Sequence, residues 1–312
     1  MAEVLSLKNK SIGEEVVRLG SRREVKERWS LGNLVQFADD LMILVKGDTL
    51  ESVRSKAAEA YSAISEWFLR NRLKLNSQKT HFMYVMTRQR AVGKDLEEPI
   101  IFDRDQVAPS RSERVLGITF DTNLSVKDHL VQGECSVLSQ VSKKMRALWI
   151  IKKHLSFKSR KMTAWGLLMS KILYGIEVWG PRASEKELNQ MQTLQNNIMR
   201  WICCARRGTR TKDLLTMTGM LSIRQCVMYR ILMTGLKVLW DGTPVGMTCI
   251  REEKIRRLAT TKNSFGFLFE RMFSKLPDSL TTIDPRKKKA EVKRWILMNI
   301  PWNRKWEALG DE

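Results

Sequence analysis

The stretch LVQFADDLMILV, residues 34–45, sets two adjacent carboxylates, Asp39 and Asp40, between two runs of strand-forming apolar residues. Valine, leucine, isoleucine and phenylalanine at this density favour extended backbone. Strands at 34–37 and 41–45 joined by a tight connection make a hairpin with Ala38, Asp39 and Asp40 at its tip. Two ionised carboxylates within hydrogen-bonding distance repel by some kilocalories per mole, so the doublet is costly unless a cation accompanies it. A bare Asp-Asp pair also reads as a solvated turn or a helix start. Here the flanking strands place it at a sheet rim. Hard Mg²⁺ (or Mn²⁺) takes a few carboxylates plus substrate phosphates, and a rigid tip leaves the remaining coordination positions open. Two such metals bridging an attacking and a leaving oxygen are the working parts of nucleotidyl transfer.

Working outward, Asp48 followed by Glu51 reads as an acidic capping box opening a helix. Its apolar face is Leu50, Val53, Ala57, Tyr61, Ile64 and Phe68, and Asn71 is its left-handed C-cap. A strand at 80–85 follows, then a polar loop to Glu98, then strands at 100–102 and 114–120. Strand, strand, helix, strand and two more strands is an α+β pattern. Past Ser125 the periodicity becomes helical throughout. One stripe runs through Val137 or Leu138, Val141, Met145, Leu148 and Ile151, and a long second helix spans 158–180 and stops at Pro181. Ser184 and Glu187 form a capping box for a third helix, with stripe Leu188, Met191, Leu194, Ile198 and Trp201 or Ile202. Ser222 opens a fourth through Ile223, Val227, Ile231 and Leu239. The expected organisation is a divergent basic helix over 1–30, an α+β domain over 31–125, a basic helical domain over 126–243 and a basic helical tail over 244–312.

The chain of 312 residues carries 55 Lys and Arg against 34 Asp and Glu, a net +21, which selects polyanions as partners. Between 141 and 230 the count is 18 against 4, so 14 of the 21 net charges fall in under a third of the chain. No apolar run is long enough to cross a membrane and the first residues lack a secretory core, so the expected location is intracellular, nuclear or cytoplasmic. The five cysteines form no C-x-x-C pair and lie far from the three histidines; they read as reduced, buried, small apolar residues rather than a zinc site. The run RKKK, 286–289, admits a nuclear address, a phosphate contact or a solvated helix start.

Four stretches, in order, resemble one family. FADD (37–40) resembles the [YF]-A-D-D metal-binding hairpin of reverse transcriptases, in particular those of LINE-type, jockey-like non-LTR retrotransposons. WFLRNRLKLNSQKTHFMYV (67–85) resembles their next palm motif, RVLGITFD (114–121) their primer-grip hairpin, and KILYGIEVWGP (171–181) a stretch of their helical thumb. The resemblance implies a partial palm followed by a thumb-like helical domain, an RNA template and DNA primer or RNA–DNA duplex as partner, dNTP as substrate if active, and Mg²⁺ or Mn²⁺ as cofactor. Residue by residue it implies Asp39 and Asp40 as the metal-binding pair, Phe37 beneath the nucleotide or primer, and Leu116, Gly117 and Ile118 as primer grip. It implies Lys79 beside the departing pyrophosphate, where an ammonium stabilises developing charge. Taken alone, Lys79 also reads as a solvated lysine and Gly117 as a bulge in an ordinary strand. A thumb accounts for Lys143, Lys144, Lys152, Lys153, Lys158, Arg160 and Lys161, and for the later cluster of Arg206, Arg207 and Arg210, as phosphate contacts. The interleaved Trp149, Trp165, Trp179 and Trp201 admit stacking on bases, but on apolar helical stripes they read as core.

The family's earlier metal-binding Asp has no counterpart here: the 38 residues before Asp39 contain no Asp, and their acids are Glu3, Glu14, Glu15, Glu24 and Glu27. With a ligand missing, two-metal chemistry loses most of its rate. The expectation is thus a truncated RNA-directed DNA polymerase, inert as this chain, or a derived nucleic-acid-binding protein without chemistry. An unrelated basic scaffold for protein partners leaves the four ordered motifs unexplained.

Overall fold

The computed structural model describes residues 2–8, 33–37, 40–73, 79–93, 95–102, 105–240, 265–281 and 284–303. It divides into two compact units, Met1–Ser125 and Val126–Glu312. The first is mixed helix and strand; the second is helical among its described residues.

In the first unit β1 (Ala2–Lys8), β2 (Asn33–Phe37), β3 (Asp40–Lys46) and β4 (His81–Val85) form an antiparallel sheet in the order β2-β3-β1-β4. Strand β3 alternates buried and half-buried residues, with Leu41, Ile43 and Val45 on the covered face. Helix α1 (Leu50–Arg70) contributes to the same core with Val53, Ala57, Tyr61, Ile64 and Phe68, and β4 adds Phe82 and Tyr84. The expected face of this helix is the buried one, but its ends differ. The N-cap is Thr49, whose hydroxyl accepts from Ser52 N at 3.1 Å, because Thr49 rather than Asp48 stands three residues before the available N–H. At the C-terminus the left-handed residue is Arg72 (φ 57°), while Asn71 closes the helix with φ −92° and its amide on Trp67 O at 2.8 Å.

Two further corrections concern strands. Residues 2–8, expected within a basic helix, form β1 with partners on both sides, Val4 opposite Leu44 of β3 and Met83 of β4. Hydrogen bonds offered on both flanks override a local helix preference. The rest of the expected helix, residues 9–30, lies outside the described residues. Residues 114–120 are not one strand. They form a hairpin of β7 (Ser112–Val115) and β8 (Ile118–Asp121), turning at Leu116 (φ 47°) and Gly117 (φ 84°). Two consecutive positive φ values are the tight-turn geometry that matches strand twist, and glycine supplies one without strain. The hairpin of β5 (Ile100–Phe102) and β6 (Asp105–Val107) and the short helix α2 (Arg88–Ala91) complete this unit.

The second unit opens with α3 (Lys127–Leu130) and α4 (Val137–Ile151). The expected continuous helix over 158–180 is broken into α5 (Phe157–Ala164), a π segment at Trp165–Met169, α6 (Ser170–Leu173) and α7 (Ile176–Trp179). The break falls at Tyr174–Gly175, where Gly175 takes φ 58°. Helix α8 (Glu185–Cys203) has both bonds of the Ser184–Glu187 capping box and buries Leu188, Met191, Leu194, Ile198, Trp201 and Ile202. Helices α9 (Thr211–Thr218), absent from the sequence expectation, and α10 (Ile223–Trp240) follow. Helices α11 (Phe265–Phe273), α12 (Asp278–Thr281) and α13 (Lys289–Asn299) are part of this core, not a trailing tail: Gln225 Nε2 donates to Ile300 O at 2.8 Å and Lys293 Nζ to Gly219 O at 3.0 Å. Buried Gln192 donates to Gln195 Oε1 (2.9 Å) and accepts from Ile223 N (3.0 Å), and Gln195 donates to Leu221 O (2.8 Å), locking α8 against the start of α10.

Candidate nucleic-acid site

The β2–β3 hairpin closes on the pair Phe37 and Asp40, with Ala38 and Asp39 between them; both of those, including the predicted ligand Asp39, lie outside the described residues. Phe37 is 63% exposed although flanked by a packed sheet. Beside it the β7–β8 turn approaches: Val35, Phe37, Asp40, Leu41 and Met42 line one small cleft together with Arg114, Val115 and Leu116. Residues about 75 positions apart thus meet, and three predicted site residues, Phe37, Asp40 and Leu116, share a lining. Gly117 supplies the turn that carries Leu116 there, whereas Ile118 is buried and packs inward. Lys79 is exposed and not among the cleft's described lining residues. It stands two residues before His81, which pairs with Ser6, and Asp40 pairs with Lys8, so Lys79 and Asp40 lie at the same end of the sheet.

The fit of a divalent metal is tested by this register. The residue opposite Asp40 on the neighbouring strand β1 is Lys8, so at this register β1 brings no acid to the Asp39–Asp40 doublet. The acid of β1, Glu3, stands opposite Val45, about 17 Å along the strand at roughly 3.4 Å per residue. No group of three or more His, Cys, Asp or Glu side chains converges among the described residues. The described residues, which do not include Asp39, assemble no two-metal centre, and no catalytic step is derived through one.

A larger cavity of about 680 Å³ in the first unit is lined by Tyr84, Asp95, Leu96, Glu97, Ala108, Pro109, Ser110, Arg111 and Thr122, none of them predicted. Its charges are spent locally. Arg111 pairs with Glu97 at 2.6 Å, the Asp95 carboxylate accepts from Glu97 N at 3.0 Å, and the Asp95 backbone carbonyl accepts from Arg54. Arg54 in turn donates to Tyr84 Oη at 2.8 Å, and that hydrogen bond, more than the Glu98 ion pair, holds its guanidinium pKa above the ordinary arginine value.

In the second unit Lys143, Lys144, Lys153 and Lys158 are exposed, as are Arg206, Arg207 and Arg210 in the loop before α9. Lys161 is half-buried. Lys152 is half-buried with its ammonium 4.7 Å from the centre of the Trp149 ring. Arg160 differs from these: its guanidinium donates to Ile202 O at 2.7 Å and to the carbonyls of Leu155 and Lys152, bracing the joint between helices. Of the four tryptophans, Trp179 and Trp201 are fully buried with their indole N–H groups on Tyr174 O and Leu148 O, while Trp149 and Trp165 are 54% and 41% exposed. The cysteines also depart from expectation. Cys226 is buried, but Cys135 and Cys204 are exposed and Cys203 is intermediate, and Cys249 lies outside the described residues.

Compared with known proteins, the chain is 28% identical over 171 residues to the RNA-directed DNA polymerase assigned to transposon BS of Drosophila melanogaster, covering 54% of this chain. It is 20% identical over 241 residues, 74% of this chain, to the retrovirus-related Pol polyprotein from type-1 retrotransposable element R1 of Nasonia vitripennis. It is 24% identical over 184 residues, 58% of this chain, to the RNA-directed DNA polymerase from mobile element jockey of D. melanogaster. The chain is similar to RNA-directed DNA polymerases of non-LTR retrotransposons. The matched region spans 18% of the BS protein, 19% of the jockey protein and 62% of the R1 polyprotein. No family model and no solved structure matches. Among the described residues no helix is long and apolar enough to cross a membrane.

Proposed function

We propose that this chain is a polymerase-derived nucleic-acid-binding protein, that its palm-like first unit and its basic, thumb-like second unit each contact an RNA template paired with a DNA primer, and that it does not extend the primer by itself. One observation carries the reading. The FADD hairpin and the LG turn, which the resemblance assigns to nucleotide and primer end, contribute to one cleft although distant in sequence. Exposed Lys143, Lys144, Lys153, Lys158, Arg206, Arg207 and Arg210 supply sequence-independent contacts to phosphate. Catalysis would need a further carboxylate near Asp40. At the register of Asp40 the neighbouring strand β1 carries Lys8 and no acid, which supports the non-catalytic form of the reading.

Primer extension on an RNA template with Mg²⁺ or Mn²⁺ and dNTPs, comparing the chain with its Asp39→Ala variant, tests the chemistry. Equal absence of product is expected; extension that the substitution abolishes would overturn the claim of inertness. Binding is tested by titrating an RNA–DNA duplex at several salt concentrations. Affinity should fall steeply with salt, and each Lys→Ala at 143, 153 or 158 should reduce the log–log slope by about 1. A slope near zero would remove the phosphate contacts from the proposal.

A further inference from the structure

Between Glu134 and Glu177 the chain contains no acidic residue. The same stretch holds Lys143, Lys144, Arg146, Lys152, Lys153, Lys158, Arg160, Lys161 and Lys171, and its exposed large apolar residues include Trp149, Ile150, Phe157, Met162, Trp165 and Leu167. Isolated exposed apolar residues need no explanation, but this many on elements that pack together call for one. Trp149 continues the buried stripe Val137, Val141, Met145 by one more four-residue step, yet it is half exposed. At Trp165 the chain passes into the π segment, which turns three consecutive residues, Trp165, Gly166 and Leu167, outward before Leu168 and Met169 return to the core. Departures of this kind from the α-helical ladder are frequent at functional sites. Helix α4 packs along the π segment, so both tryptophans belong to one packed pair of elements.

The chemistry of this surface selects its occupant. Around the axis of α5, Phe157, Lys158, Lys161, Met162 and Trp165 interleave apolar and cationic positions instead of separating them into two faces. A bilayer interface asks for segregated faces. A nucleic-acid strand alternates flat bases with phosphates. In a duplex the base faces are already stacked, so only a single strand can use the rings as well as the ammonium groups. The Lys152 ammonium, 4.7 Å from the centre of the Trp149 ring, places a cation against one ring face and leaves stacking to the other.

We propose that the α4–α5 joint and the π segment form a stacking platform for single-stranded nucleic acid, with bases on Trp149 and Trp165 and phosphates on Lys153 and Lys158. This inference rests on the nucleic-acid reading above and narrows it to unpaired template or displaced strand at this surface.

The test measures binding of the full chain to a fluorescent oligo-dT or oligo-U of about 20 nucleotides, long enough to span several stacking sites, and to a duplex of equal length. It uses Trp149→Ala, Trp165→Ala and Trp149→Phe, with thermal melting to verify that each exposed substitution leaves the fold intact. Each alanine should weaken single-strand binding roughly ten-fold, Trp149→Phe should retain most of it, and duplex affinity should change far less. Quenching of tryptophan fluorescence in the unmodified chain on adding the oligonucleotide is the second expected sign. Alanine variants that bind the single strand as well as the original chain would overturn the platform while leaving duplex binding in place. Tryptophan-dependent binding to anionic phospholipid vesicles but not to oligonucleotide would overturn it in favour of a membrane surface. Failure to bind either nucleic acid would sink the broader reading as well.

Discussion

Cys226 sits in the core of the second unit, and burial pushes its thiol pKa up from 9.0 to about 12. The folded state therefore holds this proton more tightly than the unfolded chain. Its contribution is intact below pH 9 and is lost as pH rises from 9 toward 12, at up to about 1.4 kcal/mol per pH unit. Thermal melts from pH 8 to 10.5 should show a shallower alkaline decline for Cys226→Ala than for the original chain; identical slopes would mean that this thiol ionises without unfolding. Other single residues show where sequence reasoning reaches its limit. Trp179, Trp201 and Trp149 all lie on helical apolar stripes, but only the first two meet a partner helix at their own level. Periodicity specifies a face, not where the opposing surface ends. Likewise Thr49 and Asp48 are equally good caps by type, and the choice depends on which one faces the free N–H.

At the scale of elements, two glycines in the second unit should respond to alanine in opposite directions. A Cβ added at Gly235 of α10 would lie 2.2 Å from the ring of buried Phe269, a clash that a flexible side-chain end cannot absorb. Overpacking of this kind costs about 1–3 kcal/mol and outweighs the gain of up to about 1 kcal/mol from alanine's helix preference. At Gly166, in the π segment, an added Cβ meets nothing within 4 Å, so alanine should stabilise by about 0.4–1 kcal/mol. Urea unfolding of the two variants measures both signs. The contrast follows what was legible. The α8 stripe and its S-x-x-E box are complete local signals, and both are present in the fold. The break of the 158–180 helix hinges on Gly175 adopting φ 58°, a choice that a run of apolar residues on either side conceals. The β7–β8 turn is hidden from composition in the same way, since RVLGITF reads as strand throughout; the resemblance to a primer-grip hairpin pointed to the turn, and the positive φ of Leu116 and Gly117 makes it.

At the scale of the whole molecule, the α+β character and the change to helix after Ser125 were readable from periodicity, while the connections between distant segments were not. No local pattern joins Gln225 to Ile300, or places β1 between β3 and β4. The C-terminal helices contribute Phe269, Met272, Val292 and Ile296 to the core of the second unit. A chain ending at residue 264 should consequently expose their docking surface on α10, lose cooperativity in thermal unfolding and aggregate. A melt unchanged in midpoint and steepness would show those helices to be dispensable.

The sheet's strand order has a further consequence for how the protein assembles during synthesis. Strand β1 is made first of the four but lies inside the sheet, and its partner in β4 emerges about 80 residues later, as the pairing of Val4 with Met83 requires. The β2–β3 hairpin and α1 can form from neighbouring residues, whereas insertion of β1 must await a long loop closure, so it is the slow step of this unit. Until then one flank of β1 keeps free amide edges even where β3 has paired with the other, the species from which misassembly starts and which a ribosome-bound chaperone would be expected to shield.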